Sequence, residues 1–244
     1  MNVLIIGASS GIGRELAHVF AQEGHNVICS SRDKEELEYL VSDLKLRYDC
    51  KAYAVSVDLT QLSKINSYVV EIYKIVQTLD CVVVTVGTMP ADQEHYYNQK
   101  ELLHTAMTNY IGIAAVLNEI STKMREINSG VIVCLSSVAG ERGRQSNFIY
   151  GATKSALSTY LQGLRMKLNK YNIQVITVFP GYVDTLMSYG KVKAIFAVSP
   201  HYFARRIYKL SGSKRNIVYV PVIWWFIARI LKSIPEGIYK KLRL

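Results

Sequence analysis

Cysteines are few in this sequence, and none is placed as a metal ligand would be. The 244 residues include four cysteines, with no C-x-x-C pair and no cluster of histidines beside them. This spacing disfavours a metal site and predicts buried thiols in a reducing compartment. Long apolar runs are also missing. The apolar stretch at residues 222–231 is too short to cross a bilayer, which needs about 20 such residues.

Linkers, repeats and low-complexity tracts are absent from the sequence as well. With 50% apolar residues, the chain is predicted to fold as one large α/β domain and is not of the disordered class. We expect residues 1–220 to form a dinucleotide-binding catalytic domain and residues 221–244 to form a C-terminal appendage. Because residues 1–6 already have the pattern of a first strand, we expect no signal peptide and a cytoplasmic protein.

Acidic residues are scarce in the C-terminal part of the chain. From Tyr189 onward there are twelve Lys or Arg and one acid, Glu236, whereas the preceding residues sum to about −1. A segment that is both basic and apolar favours acidic lipid or a phosphorylated substrate as partner over nucleic acid. Two interpretations of residues 221–244 stay open. The amphipathic segment lies in a membrane interface, or its aromatic residues Trp224, Trp225 and Phe226 pack on protein.

Short runs rich in β-branched residues alternate with longer amphipathic stretches along the chain. This alternation predicts a Rossmann-type, doubly wound parallel sheet of about seven strands with helices on both faces. The predicted strands are residues 3–6, 26–30, 52–57, 81–86, 131–135, 174–179 and 217–220. The predicted helices are residues 12–23, 34–48, 62–77, 102–127 and 150–170.

Glycines follow the first predicted strand in the order Gly7-x3-Gly11-x-Gly13 and open the first helix. They permit a tight turn and a close backbone approach, while the amino terminus of the helix faces a pyrophosphate. The sequence therefore predicts a dinucleotide loop. Its cofactor-binding residues are Gly7, Ser9, Ser10, Gly11, Ile12 and Gly13.

The second predicted strand ends at Ser31 and Arg32, with no carboxylate to accept hydrogen bonds from the ribose hydroxyls of NAD. Arg32 can instead pair with a 2′-phosphate through charge-assisted bonds, so we predict NADP(H) as cofactor. Asp58 and Leu59 follow the third strand and are candidates for the adenine site. Asp58 has an alternative role as cap of the next helix.

Tyr150 and Lys154 lie one helical turn apart, so both side chains share a face and the ammonium is expected to favour tyrosinate. Ser137 follows the fifth strand, at the carboxyl edge of the sheet where ligands bind in such folds. We expect Ser137 to bind a carbonyl or hydroxyl oxygen that Tyr150 protonates or deprotonates. The combination predicts a hydride-transfer enzyme. Asn109 adds a polar group within a predicted helix, where it either kinks the helix or joins this site.

Together with Pro180-Gly181-x-Val183-x-Thr185, these motifs resemble the short-chain dehydrogenase/reductase family over nearly the whole chain. The resemblance implies that Tyr150 is the general acid and base and that Lys154 holds the nicotinamide ribose. It implies that Asn109 supports a proton path to Lys154 and that the protein is a homo-oligomer. The further cofactor contacts that it implies are Gly87, Pro180, Gly181, Val183 and Thr185.

One departure from the family pattern concerns residues 84–87, which are Val-Thr-Val-Gly where the family has Asn-Asn-Ala-Gly. The hydrogen bonds that the asparagine pair makes in the family must therefore be made by other groups. We expect the departure to alter local contacts of the sheet without altering the chemistry.

Two arginines, Arg142 and Arg144, lie between Ser137 and Tyr150. Their guanidinium groups suit a polar or phosphorylated substrate. The alternatives are that they belong to a solvated loop or to a subunit contact. This loop, residues 90–93 and residues 219–235 resemble the branch of the family that reduces keto-sugars joined to polyprenyl phosphate, such as decaprenylphosphoryl 2-keto-pentose reductases. That likeness implies a lipid-linked substrate at an anionic membrane face. The alternatives are a soluble reductase of steroid, acyl or small ketones, and a nucleotide-sensing binding protein.

Overall fold

The computed structural model describes residues 1–89, 99–185 and 197–242. Its strands are β1 (Asn2–Ile6), β2 (Asn26–Ser31), β3 (Ala52–Ser56), β4 (Cys81–Val84), β5 (Gly130–Leu135), β6 (Ile173–Pro180), β7 (Tyr182–Val183), β8 (Ala197–Val198) and β9 (Ile217–Val220). Seven of them form one parallel sheet in the order β3-β2-β1-β4-β5-β6-β9, and β7 pairs with β8. The predicted parallel sheet is confirmed.

Helices cover both faces of the sheet because successive strand residues point to opposite sides. The helices are α1 (Gly11–Gln22), α2 (Lys34–Arg47), α3 (Ile65–Ile75), α4 (Gln99–Ala106), α5 (Gly112–Ile127), α6 (Phe148–Leu168), α7 (Pro200–Leu210), α8 (Ile223–Ser233) and α9 (Glu236–Tyr239). Val3 and Ile5 of β1 pack with α1, α2 and α7, whereas Leu4 and Ile6 pack with α3, α5 and α6. Both layers are therefore buried apolar cores.

The strand order reverses direction at β1, which has β2 on one side and β4 on the other. Ile6, the last residue of β1, is paired with Ser30 and with Val84. The loops that follow β1 and β4 therefore diverge and open a crevice at the carboxyl edge of the sheet. In doubly wound folds this is the position where ligands bind.

Two helical segments differ from the prediction. The predicted helix 102–127 is interrupted by a π-helical turn, Met107–Ile111, which contains Asn109. The second is α7, which the sequence analysis missed. Its signals are Ser199, whose Oγ accepts a hydrogen bond from the backbone N–H of Tyr202 (3.1 Å), and Pro200 in the first turn. Residues 90–93 lie outside the described residues.

The C-terminal segment is partly packed on the protein. Trp224 is 8% exposed and contacts Phe179 and Tyr182, which confirms the packing interpretation for this residue. Trp225 and Phe226 are 40% and 52% exposed. Among the described residues, no helix combines the length and the apolar character needed to cross a membrane.

All four cysteines are free thiols, and Cys29, Cys81 and Cys134 are buried. Burial raises the pKa of each of these three thiols to about 12, so they are protonated at neutral pH. The expectation of buried thiols is confirmed for these three. Cys50 is partly exposed.

Candidate active site

The loop after β1 places its glycines where the backbone or the packing disfavours a side chain. Gly7 has a φ of 99° and Gly11 a φ of 52°, both in the left-handed region. A Cβ on Gly13 would lie 1.9 Å from the carbonyl oxygen of Gly7, so no larger residue fits there. Arg14 donates two hydrogen bonds to the carbonyl oxygen of Ser9, at 3.1 and 2.7 Å, and fixes the loop from behind.

This loop forms one wall of a cavity of about 1220 Å³ at the carboxyl edge of the sheet. Most of the predicted site residues line the cavity. They are Gly7, Ser9, Ser10, Gly11, Ile12, Gly13, Ser31, Arg32, Asp58, Leu59, Gly87, Ser137, Arg144, Tyr150, Lys154, Pro180, Gly181, Val183 and Thr185. Asn109 and Arg142 do not line it. Residues that the sequence analysis missed as cavity residues include Thr88, Met89, Asn147 and Phe148; their positions after β4 and before Tyr150 were the available signal.

Ser31 and Arg32 stand at one end of the cavity. Arg32 is exposed, and within the described ranges no acid forms a salt bridge with its guanidinium. Asp58 accepts hydrogen bonds from the backbone N–H (2.9 Å) and the hydroxyl (2.7 Å) of Thr60. Burial acts to raise the pKa of Asp58, but these bonds and the charge of Arg32 outweigh it and lower the pKa. Asp58 therefore stabilises the turn after β3 as well as lining the cavity.

Residues 84–87, where the sequence departs from the family pattern, are bonded through a threonine side chain and a backbone carbonyl. Thr85 Oγ1 lies 3.1 Å from the carbonyl oxygens of Ile6 and Gly7, so its hydroxyl joins β4 to the glycine loop. The carbonyl oxygen of Val86 accepts a hydrogen bond from Lys154 Nζ at 3.1 Å. In this chain the segment after β4 is therefore bonded through the hydroxyl of Thr85 and the ammonium of Lys154.

Asn109 is fully buried behind the cavity. Its side chain accepts from the backbone N–H of Thr88 (2.7 Å) and donates to the carbonyl oxygen of Thr88 (2.8 Å) and to Thr153 Oγ1 (3.1 Å). These bonds attach the segment after β4 to α6. Asn109 does not itself line the cavity but bonds to Thr88, which does, and its role at the cofactor stays a prediction.

Tyr150 and Lys154 occupy the first turns of α6, which lies close against the end of β5. Ser136 Oγ donates to the carbonyl oxygen of Lys154 at 3.0 Å. A Cβ on Gly140 would lie 2.8 Å from the backbone carbon of Lys154, so glycine is needed for this close approach. The same packing brings Ser137 within hydrogen-bonding reach of the Tyr150 phenol.

Lys154 is 2% exposed, and its ammonium donates to the carbonyl oxygens of Val86 and Leu135, each at 3.1 Å. Burial lowers the pKa of Lys154 to about 8, against a smaller opposing effect of Cys134. Burial raises the pKa of Tyr150, and the hydrogen bond with Ser137 acts the other way. The expected lowering of the phenol pKa by Lys154, whose Nζ lies 6.0 Å from the ring centroid, is therefore not found here. At neutral pH Tyr150 is a protonated phenol, which suits donation of a proton.

The two arginines of the loop before α6 have different positions. Arg144 lines the cavity, whereas Arg142 points to the C-terminal helices, where its guanidinium donates to the carbonyl oxygen of Ile234 (2.7 Å) and to Glu236 (2.9 Å). This corrects the expectation that Arg142 binds substrate, because its donors are engaged by protein groups outside the cavity.

The sequence profile of the short chain dehydrogenase family matches residues 1–194. The chain belongs to this family. A relative in the short chain dehydrogenase family, the dehydrogenase/reductase SDR family protein 7-like of Drosophila melanogaster, is 31% identical over 253 positions, covering 97% of this chain and 77% of the relative. Membership supports an oxidoreductase of CH–OH or C=O groups that uses a nicotinamide cofactor.

Solved structures of similar fold include a short chain dehydrogenase from Burkholderia cenocepacia in complex with NADP. It superposes with a TM-score of 0.83 over 100% of this chain and 97% of its own, at 20% identity. The L-sorbose reductase of Gluconobacter frateurii, complexed with NADPH and L-sorbose, gives a TM-score of 0.80 over 89% of this chain and 93% of its own, also at 20% identity. At this identity the likeness concerns the fold.

Proposed function

We propose that the protein is an NADPH-dependent carbonyl reductase in which Tyr150 is the general acid. One observation carries this proposal. Ser137, Tyr150 and Lys154 line the same cavity as the glycine loop, so a proton donor and a dinucleotide site share one space. In the opposite direction, alcohol oxidation, Tyr150 would act as the base.

The residues of the cavity fit a nicotinamide dinucleotide. The left-handed backbone at Gly7 and Gly11 and the missing Cβ at Gly13 leave the start of α1 open to a pyrophosphate. Lys154 uses two of its three N–H donors on Val86 and Leu135, and within the described chain the third is available for a ribose hydroxyl. NADPH, when bound, supplies the hydride.

Each catalytic side chain then has one task in the transfer of a proton to the substrate oxygen. Tyr150 donates its phenolic proton to the carbonyl oxygen as the carbon accepts the hydride, so the product is an alcohol. The Ser137 hydroxyl positions the same oxygen by donating a hydrogen bond to it. Lys154 stabilises the phenolate that forms, because an ammonium in a buried site acts on developing charge more strongly than in water. In this scheme Asn109 is a positioning residue that fixes the segment after β4, which also bonds Lys154 through the carbonyl oxygen of Val86.

Ser31 and Arg32 line the cavity at the end of β2, the position where a carboxylate would favour NAD. A preference for NADP(H) over NAD(H) is proposed from these two residues. We expect Ser31→Asp combined with Arg32→Ala to lower the ratio of kcat/KM for NADPH over NADH by about a hundredfold, because a charge-assisted bond is lost and a repulsive carboxylate is gained. Steady-state kinetics with both cofactors measure this. Lys34→Ala, an exposed cation outside the cavity, is the control. Equal use of both cofactors by the wild type would contradict the assignment.

As substrate we propose a keto-sugar carried on a polyprenyl phosphate, in cell-envelope polysaccharide synthesis at the inner face of a membrane. Arg144 places a cation at the cavity for an anionic group. Residues 1–220 would form the catalytic unit, and residues 221–244 would contact the membrane through the outer side of α8, where Ile223, Phe226 and Ile230 are 56%, 52% and 63% exposed. A soluble reductase of steroid, acyl or small ketones is the alternative for the same chemistry.

NADPH oxidation tests the substrate class. We expect turnover with a polyprenyl-phosphate keto-sugar embedded in vesicles, and faster turnover when the vesicles contain anionic lipid, because the C-terminal segment is basic. The comparison is with neutral vesicles and with L-sorbose, a steroid ketone and a 3-oxoacyl thioester in solution. Faster reduction of the steroid or acyl ketone would favour the soluble alternative. NADPH binding without oxidation by any carbonyl would favour a nucleotide sensor.

A further inference from the structure

The loop of residues 141–147, between Ser137 and the start of α6, is attached to the C-terminal helices, and the partly buried Arg142 makes most of these contacts. Arg142 Nη1 donates to the carbonyl oxygens of Leu231 and Ile234, the latter at 2.7 Å. Its Nη2 donates to Glu236 at 2.9 Å. The guanidinium also lies 3.7 Å from the ring centroid of Tyr239. One side chain thus joins the loop to both α8 and α9.

Two further contacts connect the same partners. Tyr239 donates its hydroxyl to the carbonyl oxygen of Gly143 at 2.8 Å. Lys232 forms a salt bridge of 2.5 Å with Glu141, whose side chain is 11% exposed. The loop is therefore held to the C-terminal segment at three successive residues.

The opposite end of α8 is fixed to another wall of the cavity. Trp224 lies so close to the turn after β6 that a Cβ on Gly181 would stand 1.9 Å from its Nε1. Gly181 and Tyr182 both line the cavity, and Tyr182 meets the Trp224 ring edge-on at 5.3 Å. Helix α8 therefore spans from the nicotinamide end of the predicted cofactor site to the loop before α6.

The bonds of Arg142 to backbone carbonyls are the strongest part of this attachment. The last carbonyls of a helix have no partner within the helix, and a cation at that end also interacts favourably with the helix dipole. The Arg142 side chain is 16% exposed, so water competes little for its donors. Its pair with Glu236 contributes less, since that carboxylate is 77% exposed and solvent screens it.

We propose that Arg142 is a positioning residue for substrate binding, which locks the loop of residues 141–147 onto α8 and α9 and thereby holds Arg144 and Asn147 at the cavity. Both of these residues line the cavity, and both belong to the loop that Arg142 anchors. The C-terminal segment then contributes to the substrate site by holding the loop that Arg142 anchors. Only the kinetic consequence of this inference rests on the proposed reductase function.

The experiment compares Arg142→Gln with Arg142→Lys and with a matched control. Arg165 also bonds backbone oxygens, those of Val175 and Asn216 at 2.7 and 3.0 Å, yet it does not line the cavity or contact residues 141–147. Arg165→Gln therefore removes a comparable arginine without touching the loop. All variants are made in the full chain.

For Arg142→Gln we expect amide hydrogen exchange in residues 141–149 to accelerate by about tenfold, since the loss of hydrogen bonds to a charged donor frees the loop. With the reducible carbonyl we expect KM to rise by about tenfold, with kcat and the NADPH dissociation constant within about twofold of wild type. Arg142→Lys is expected to restore part of both effects. Arg165→Gln is expected to leave the exchange of residues 141–149 unchanged.

Unchanged exchange in residues 141–149 of Arg142→Gln would overturn the proposal, and so would a fall in kcat or in NADPH affinity as large as the rise in KM. The exchange measurement needs no substrate. Accelerated exchange in a protein that reduces no carbonyl would therefore refute the proposed function while the positioning of the loop by Arg142 stands.

Discussion

Tyr150→Phe is expected to lower kcat for carbonyl reduction by about a thousandfold, because a positioned acid contributes about 10²–10⁴-fold to such a step. The substitution removes one hydroxyl and keeps the ring, so the packing at the start of α6 is retained. NADPH binding, measured by the fluorescence of the bound cofactor, should stay within about twofold of wild type, since the phenol's task is at the substrate oxygen.

Tyr160→Phe on the same helix is the matched control for Tyr150→Phe. Tyr160 also carries a bonded hydroxyl, which donates to the carbonyl oxygen of Ala114 at 3.1 Å, but it does not line the cavity. This variant should keep wild-type kcat. Full activity in Tyr150→Phe would remove the general-acid assignment and with it the proposed reaction.

Lys154→Met is expected to lower kcat/KM for reduction by about a hundredfold or more, because the cation that stabilises the phenolate is lost. The pH dependence should change as well. In the wild type, the pKa of Lys154 lowered to about 8 means that the cation is present below pH 8 and is lost as the pH rises through it. The wild-type kcat/KM should therefore fall above pH 8, and Lys154→Met should lack that basic limb.

The profile of kcat/KM between pH 6 and 10 measures this effect, with Lys167→Met as control. Lys167 is an exposed lysine near the other end of α6, so its replacement should leave both rate and profile unchanged. NADPH affinity should fall in Lys154→Met, since the proposed ribose contact is lost. A wild-type profile that stays level to pH 9.5 would contradict the role of Lys154.

The order of strands and helices could be predicted because buried parallel strands have a simple composition. Runs such as Cys-Val-Val-Val at β4 are apolar on both faces, and the helices between them have one apolar side. A kink at Asn109 was one of two interpretations of the sequence, and a π-helical turn lies there. The bonds of that side chain to Thr88 and Thr153 join residues distant in sequence, which a helical pattern does not encode. The start of helix α7 was predictable from Ser199 as N-cap and Pro200 in the first turn.

Within the site, residues identified by a backbone requirement or by fixed spacing line the cavity. Gly13 and the pair Tyr150 and Lys154 are examples, since sterics and one helical turn determine where they lie. The position of the Arg142 side chain could not be predicted, because it depends on contacts with residues distant in sequence, which composition and spacing do not encode. The direction of the Tyr150 pKa likewise depended on burial by the surrounding chain, which raises the pKa against the opposing hydrogen bond with Ser137.

Arg142 and its acceptor Leu231 are separated by 89 positions in the chain. During synthesis on the ribosome, the glycine loop and α6 are therefore made well before the groups that anchor the loop of residues 141–147. A nascent chain that has emerged only as far as β9 would already contain the walls of its coenzyme site, while the loop before α6 stays unanchored. During translation, the chain would therefore become able to bind NADPH before it becomes able to bind a carbonyl compound.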